Sequence, residues 1–278
     1  MNSIIKNMEN FIDYQKLEDR KTELHKSWND EKKAFRYIVF EDFFEAEAAE
    51  KIIQNYPKVK QVEPTGNFEE DPNWKYTTYV NQNNKFVMTE FDNQPIIKQV
   101  FEELNSQKLL DIVQQITGIE DLQADPQLFG GGLHQSTKGA FLDVHVDFNY
   151  HPETNYHRRM NIIIYMNKDW KREYEGYLEL WDMDKKIQIE NVEPRFNRCV
   201  IFETNEISFH GHPHSLNTPE GQSRKSIAAY YYTKTRPENE IASDHNTVYV
   251  NVEGMKGSVK NIKTGVRAFL ERINKKDK

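Results

Sequence analysis

From Leu128 to Thr233 the chain is a succession of short runs rich in β-branched and aromatic residues, separated by turn formers. Runs of this kind predict strands, and about eight of them in series predict a sandwich or a closed barrel. Gly130-Gly-Gly132 stands at the head of the series. No Gly-Lys-Ser/Thr follows it, and Leu133-His-Gln-Ser does not open a helix, so the triplet is poorly suited to cradle a phosphate. It is better read as a bend, or as a close backbone approach at a sheet corner.

The run Phe141-Leu-Asp-Val-His-Val-Asp147 ends in a histidine and an aspartate two residues apart. Side chains alternate along a strand, so His145 and Asp147 share a face and can hold one ion together. Two imidazoles and one carboxylate on one face of a metal leave the opposite positions open, which suits non-heme Fe(II) with a bidentate co-substrate and O2. The same pair could serve only as a hydrogen-bonded couple at a barrel mouth. A third ligand must come from elsewhere, and His210-Gly-His212-Pro-His214 offers three histidines of one parity, among which alternation does not choose.

Further strings follow in order: Arg158-Arg-Met-Asn-Ile-Ile-Ile-Tyr165-Met-Asn-Lys-Asp-Trp170, Gly176-Tyr-Leu-Glu-Leu-Trp181, Arg198-Cys-Val-Ile-Phe202, His210-Gly, and Arg224-Lys-Ser226 leading into Thr233. With the HxD pair, this order resembles the Fe(II)/2-oxoglutarate oxygenase superfamily, and most closely its prolyl-4-hydroxylase-like branch, over roughly residues 126 to 236. The resemblance implies that His145, Asp147 and His210 hold Fe(II). It implies that Tyr165 and Arg224 hold 2-oxoglutarate, with Arg224 receiving the distal carboxylate through its planar fork and Ser226 adding a hydrogen bond. Retention of Asp147 favours hydroxylation over halogenation. Fe(II), 2-oxoglutarate and O2 are the expected cofactors, with ascorbate as an auxiliary reductant. Two departures affect the rim: Gly176-Tyr177 replaces a common Gly-Gly, and extra residues separate Asp147 from Arg158.

The implied fold is α+β and mainly β, a double-stranded β-helix (jelly-roll, cupin-like) core backed by N-terminal helices. Residues 1–33 read as a helical N-terminal arm on the spacing of Ile4, Met8, Phe11, Ile12 and Leu17. Residues 34–278 then form one oxygenase domain, with its core at about 126–236 and a C-terminal extension at 237–278. Phe35 to Phe40 predicts a strand, and Glu45 to Tyr56 a helix closed by Pro57. Gln61 to Asn83 reads as loop with short strands. Ile96 to Ile116 carries two helical patterns broken near Asn105-Ser106. The extension holds a strand at Thr247 to Val252 and a last helix near Val259 to Ile273.

Composition sets bounds on partners. In 278 residues, 37% hydrophobic and 29% charged, the chain can bury a full core. A net charge of −7 argues against general nucleic-acid binding. No apolar run reaches the roughly eighteen residues of a membrane span, and the N-terminus lacks a signal-peptide pattern. Cys199, the single cysteine, sits in an apolar strand as a buried inert thiol. The expected compartment is the cytoplasm, with a peptide or small-molecule substrate and no nucleic-acid or membrane partner.

Secondary candidates complete the reading. Gln135 is favoured over His134 for the pocket. His157 and Arg158, at the end of the insertion after Asp147, and the aromatic Trp181 are candidate substrate contacts. Tyr230, Tyr231 and Tyr232 alternate between core and surface, while His25 and His245 read as solvated. Three functions remain in play: a 2-oxoglutarate-dependent hydroxylase acting on a prolyl, peptidyl, amino-acid or sugar-linked C–H bond, a cupin-type metal hydrolase or isomerase, and a catalytically silent binding protein. A hydrolase has no need for a buried anion clamp such as Arg224.

Overall fold

The computed structural model describes residues 10–59 and 74–252. The first helical spacing expected at Ile4 and Met8, and the helix expected near Val259 to Ile273, lie outside the described residues.

Among the described residues, four α-helices precede the main strands. Helix α1 (Tyr14–Trp28) starts at Asp13, whose carboxylate accepts from Lys16 N, and it buries Tyr14, Leu17, Leu24 and Trp28 on one face. That face packs on helix α4 (Gln107–Thr117) and on strand β1 (Tyr37–Phe40). Helix α2 (Ala46–Gln54) buries Ala48, Ala49 and Ile52, and α3 (Pro95–Leu104) buries Ile97, Val100, Phe101 and Leu104. The break between α3 and α4 has a local cause: Ser106 caps α4 by accepting from Leu109 N.

Of the region Gln61 to Asn83, read as loop with short strands, residues 61–73 lie outside the described residues, and the remainder holds β2 (Lys75–Tyr79) and the start of β3 (Gln82–Met88). After the two-residue β4 (Gln123–Ala124) come β5 (Gly132–Val146), β6 (His157–Tyr165), β7 (Leu178–Asp182) and β8 (Ile187–Val192). Strands β9 (Arg198–Glu203), β10 (Phe209–His212), β11 (Arg224–Thr233) and β12 (Val248–Tyr249) complete the sheet. The order β1-β9-β6-β11-β5-β10-β7-β8 is antiparallel throughout and curls into a nearly closed barrel. Between Leu128 and Thr233, where about eight strands were expected, stand the seven strands β5 to β11, and β1 to β4 with β12 bring the described strands to twelve.

Alternation divides this sheet into two faces. Met160, Ile162, Ile164, Cys199, Ile201, Ile227, Ala229 and Tyr231 join the helices in one large apolar core. Their neighbours Tyr165, Val200 and Phe202, with Leu178 and Leu180, form a second cluster inside the barrel. Burying most of these side chains fully stabilises the sandwich by roughly 1.5–3 kcal/mol per large residue before the entropy of ordering is subtracted. Gly132 has φ +106, and a Cβ there would collide with the Met88 carbonyl, so the glycine triplet is a corner where β5 passes close under β3.

Candidate active site

The inner face opens into a cavity of about 200 Å3 that contains His145, Asp147, His210, Arg224 and Tyr165. Strand β5 carries His145 and runs directly into Asp147 after its last residue, and β10 delivers His210 as the direct cross-strand partner of His145. Ligand atoms of His145, Asp147 and His210 all lie within 4.8 Å of one another. His145 Nε2 is 3.6 Å from Asp147 Oδ1, and His210 Nε2 is 3.5 Å from Asp147 Oδ2. These separations are longer than good hydrogen bonds.

Both imidazoles are oriented from behind. His145 Nδ1 donates to Asp143 O at 2.8 Å, and His210 Nδ1 donates to Ser208 O at 2.9 Å. A carbonyl only accepts, so each ring carries its proton on Nδ1 and presents the Nε2 lone pair to the cluster. Burial, with neighbouring His145, pushes His210 down to about 4. Neutral imidazole is the form that binds a metal. Burial alone would raise the Asp147 carboxyl, yet Arg158, His210 and His145 hold it well below the carboxylate range.

Asp147 is fixed by two groups of β6. Asn161 Nδ2 donates to Asp147 Oδ2 at 2.7 Å, and Arg158 Nη2 lies 3.1 Å from the same oxygen. Arg158 also donates to Asn161 Oδ1 at 3.0 and 2.7 Å and is sandwiched between the Phe148 and Tyr230 rings. Arg158, read from sequence as a substrate contact, thus spends its guanidinium on Asp147 and Asn161.

Arg224 enters the cavity from the first residue of β11. Its Nε donates to Gly176 O at 2.7 Å and its Nη2 to the Tyr165 hydroxyl at 3.2 Å. Gly176 is at φ +74, and a Cβ there would collide with Leu216 and come within 3.1 Å of Arg224 Cδ. The Gly176-Tyr177 departure therefore keeps the glycine whose backbone Arg224 must approach. Ser226 lies opposite Tyr165 and lines the same cavity.

The secondary candidates fare differently. Gln135 does not line the cavity; His134 does. Leu133 packs into the helix-side core, and alternation sends Gln135 to that side with it. Trp181 faces outward, packing with Val144, Val146 and Phe209 and donating to Glu179 Oε2 at 2.9 Å. Alternation is again the reason, since Leu178 and Leu180 take the inner face of β7. His157 packs against Tyr150 outside the cavity lining, with the rings tilted and their centroids 4.7 Å apart. Among the tyrosines expected to alternate with the surface, Tyr230 lines the cavity while Tyr231 and Tyr232 are buried, because a register shift between the last two breaks the alternation. His214 pairs with Glu179 at 3.2 Å on the outside, with its side chain 60% exposed. His212 does line the cavity, displaced from His210 by a shift in the β10–β5 register. His245 is half-buried rather than solvated, 2.9 Å from Glu206.

Several cavity residues escaped the sequence reading. Asn161 interrupts an apolar run, and that break was a usable signal. Lys85 lies on β3, in a stretch to which the sequence reading assigned no element. Tyr249 comes from the C-terminal extension, where β12 pairs with the end of β5 and sets the Tyr249 ring 5.3 Å from His145.

The donor set fits Fe(II): two Nε2 lone pairs and one carboxylate, with a polar cavity beside them. It also fits an organic dianion, since buried His134 Nε2 and His212 Nδ1 have no hydrogen-bond partner among the described residues. Known proteins agree. Residues 131–232 match the model of the 2OG-Fe(II) oxygenase superfamily. Mouse (Mus musculus) prolyl 3-hydroxylase OGFOD1 is 32% identical over 108 residues, covering 33% of this chain and 19% of that protein. The Xenopus laevis protein of the same name is 29% identical over 95 residues, with 33% and 18% covered. The chain thus spans less than a fifth of the length of these relatives. Among solved structures, a Trichoplax adhaerens prolyl hydroxylase bound to a peptide of the hypoxia inducible factor oxygen degradation domain is similar with a TM-score of 0.52 at 12% identity, covering 79% of this chain and 93% of that one. A Phytophthora capsici prolyl 4-hydroxylase gives 0.52 at 17% identity, covering 98% and 79%. At such identities the likeness is one of fold. The segment carrying the histidine–aspartate–histidine cluster thus matches the 2OG-Fe(II) oxygenase superfamily, and the chain shares the fold of the prolyl hydroxylases.

Proposed function

We propose that the protein is an Fe(II)- and 2-oxoglutarate-dependent hydroxylase of a prolyl, peptidyl or small-molecule C–H bond. The observation that carries this reading is the placement, in one cavity, of an oriented two-histidine, one-carboxylate cluster and a buried arginine–tyrosine pair. His145, Asp147 and His210 would hold the iron, and Arg224 with Tyr165 and Ser226 would receive the distal carboxylate of 2-oxoglutarate. When bound, iron and co-substrate supply, with O2, the oxidant for C–H hydroxylation, and 2-oxoglutarate leaves as succinate and CO2.

The chain's own groups do the positioning. Asp143 O and Ser208 O fix the imidazole tautomers, Asn161 and Arg158 fix the carboxylate, and Gly176 O and the Tyr165 hydroxyl steer the Arg224 fork. The loop after Asp147 is strapped to the C-terminal extension, with Asn149 Nδ2 donating to Ser243 O and the Tyr150 hydroxyl to Ala242 O. This strap, with Tyr249 and Thr247 in the cavity wall, narrows the entrance around the C–H bond to be attacked. A cupin-type hydrolase would leave the buried Arg224–Tyr165 pair without a task. The prolyl hydroxylases among its relatives support a peptidyl substrate. The buried Cys199 and a centre of Fe(II) suit a reducing compartment, which favours the cytoplasm; no described helix is long and apolar enough to cross a membrane.

The test is anaerobic reconstitution with Fe(II) and 2-oxoglutarate, read by the metal-to-ligand absorption band, followed by admission of O2 in the presence of a peptide and metabolite panel read by mass spectrometry. A band and a 16-dalton product gain, about the mass of one oxygen atom, are expected once a substrate is met. Absence of the band in wild type would overturn the reading.

A further inference from the structure

Lys85 lines the cavity, and among the described residues no carboxylate pairs with it. On strand β3 it lies opposite Ser136 of β5, which in turn lies opposite Arg224 of β11. Directly opposed residues share a face of the sheet, so Lys85, Ser136 and Arg224 form one row across three strands. All three line the cavity. The hydrogen bonds and ion pairs among the described residues give the Lys85 ammonium no partner. Lys85 also lies outside residues 131–232, so the family match says nothing about it.

Charge counting shows what the row lacks. The cavity holds three cations, Lys85, Arg158 and Arg224, and one anion, Asp147. Arg158 is matched by Asp147 at 3.1 Å. Arg224 meets only neutral oxygens, those of Gly176 and Tyr165. Among the described residues, Lys85 and Arg224 therefore stand as two cations on one wall with no carboxylate beside them, Arg224 buried and Lys85 partly exposed. A cation that faces a partly closed cavity with no carboxylate beside it is suited to receive an anionic ligand. Burial, with Arg224 and Arg158 adding and Asp147 opposing, brings Lys85 down to about 8, so it remains cationic at neutral pH.

We propose that Lys85 is a second carboxylate receptor for 2-oxoglutarate, working beside Arg224 from the hairpin that covers the cavity. The proposal rests on the assignment of this cavity to 2-oxoglutarate. Two cations on one wall match a ligand with two carboxylates, and the unpartnered His134 Nε2 and His212 Nδ1 flank it as further polar contacts. Lys85 then helps select a dicarboxylate over a simple 2-oxo acid, or holds the keto-acid end against the metal. The two roles are separable with a truncated ligand.

The experiment is anaerobic calorimetric titration of the Mn(II)-loaded full chain with 2-oxoglutarate and with 2-oxobutyrate, which lacks the distal carboxylate. Wild type is compared with Lys85→Met, Lys85→Gln and Lys85→Arg, each checked for native circular dichroism. Both neutral variants are expected to bind 2-oxoglutarate at least about tenfold more weakly, roughly 1.4 kcal/mol, with most of the loss restored in Lys85→Arg. A loss confined to 2-oxoglutarate assigns Lys85 to the distal carboxylate, and a loss shared by 2-oxobutyrate assigns it to the keto-acid carboxylate. If Lys85→Met binds 2-oxoglutarate within twofold of wild type, Lys85 is no receptor, whatever the fate of the site assignment. A wild type that binds no 2-oxoglutarate overturns the site assignment itself, and this proposal with it.

Discussion

His145 and His210 are direct cross-strand partners on β5 and β10, with ring centroids 4.4 Å apart and each Nδ1 tied to the carbonyl two residues before it. Two histidines oriented alike from adjacent strands present both Nε2 atoms to one point beside Asp147. Backbone hydrogen bonds hold this arrangement, so it is built by the sheet itself.

The metal ligands are the first prediction. His145→Ala, Asp147→Ala and His210→Ala should each abolish tight Fe(II) binding, measured by anaerobic equilibrium dialysis, while circular dichroism stays native. His214→Ala should bind Fe(II) as wild type does, because His214 points out of the barrel toward Glu179. Wild-type iron affinity in any of the first three would remove that residue from the centre.

Asn161 is a positioning residue for Asp147. Its amide donates to Asp147 Oδ2 at 2.7 Å, and its carbonyl oxygen takes two hydrogen bonds from Arg158. Loss of such an outer partner typically costs about 10–100-fold in metal affinity. Asn161→Ala should fall in that range with 2-oxoglutarate affinity at saturating metal changed far less. A purely structural role would instead lower thermal stability and leave iron affinity intact.

Arg224 supplies the next contrast. Removing one partner of a charged, buried, hydrogen-bonded pair costs on the order of 2–5 kcal/mol, so Arg224→Ala should raise the 2-oxoglutarate dissociation constant by roughly thirtyfold or more. Arg224→Lys keeps charge but loses the planar fork and should be intermediate. Tyr165→Phe, which removes one acceptor of Arg224, should be milder than Arg224→Ala. Titration of the Fe(II) protein under anaerobic conditions measures all three, and an unchanged constant in Arg224→Ala would take it out of the pocket.

Acid should destabilise the metal-free protein in a defined window. His210 titrates at about 4 when folded, against an ordinary value near 6.5, because burial disfavours its charged form. Burial also holds His134 and His212 well below that value, with Lys85 adding for His134, and Arg224 and Lys85 for His212. Between these limits the unfolded chain binds protons that the folded chain does not, so stability falls as pH drops from about 6.5 toward 4 and is unaffected by these groups above 6.5. His210 alone accounts for about 3 kcal/mol by the bottom of the window. Urea denaturation midpoints at pH 7.5, 6.0 and 4.5 check this. A flat profile would contradict it.

Much of the fold was legible in the chain because period sets face. The apolar alternation of β5, β6, β9 and β11 and the helical spacing of Ile96 to Ile116 appear as written. The β2–β3 hairpin was harder, since Gln82-Asn-Asn-Lys-Phe-Val-Met88 has little alternation and owes its strand form to pairing with β5. Lys85 was hidden with it.

Local pattern thus determined which strands exist and that His145 and Asp147 share a face, because a two-residue period is a property of the backbone alone. Which face became the cavity was a tertiary decision. Gln135 and His134 differ by one residue, and the packing of Leu133 against the helices turned His134 inward. His210 met His145 through a register between strands more than sixty residues apart, and Lys85 joined Arg224 only across an intervening strand. The sequence carried the ligands. Long-range pairing chose which of them meet, because pairing register depends on how every buried face packs at once.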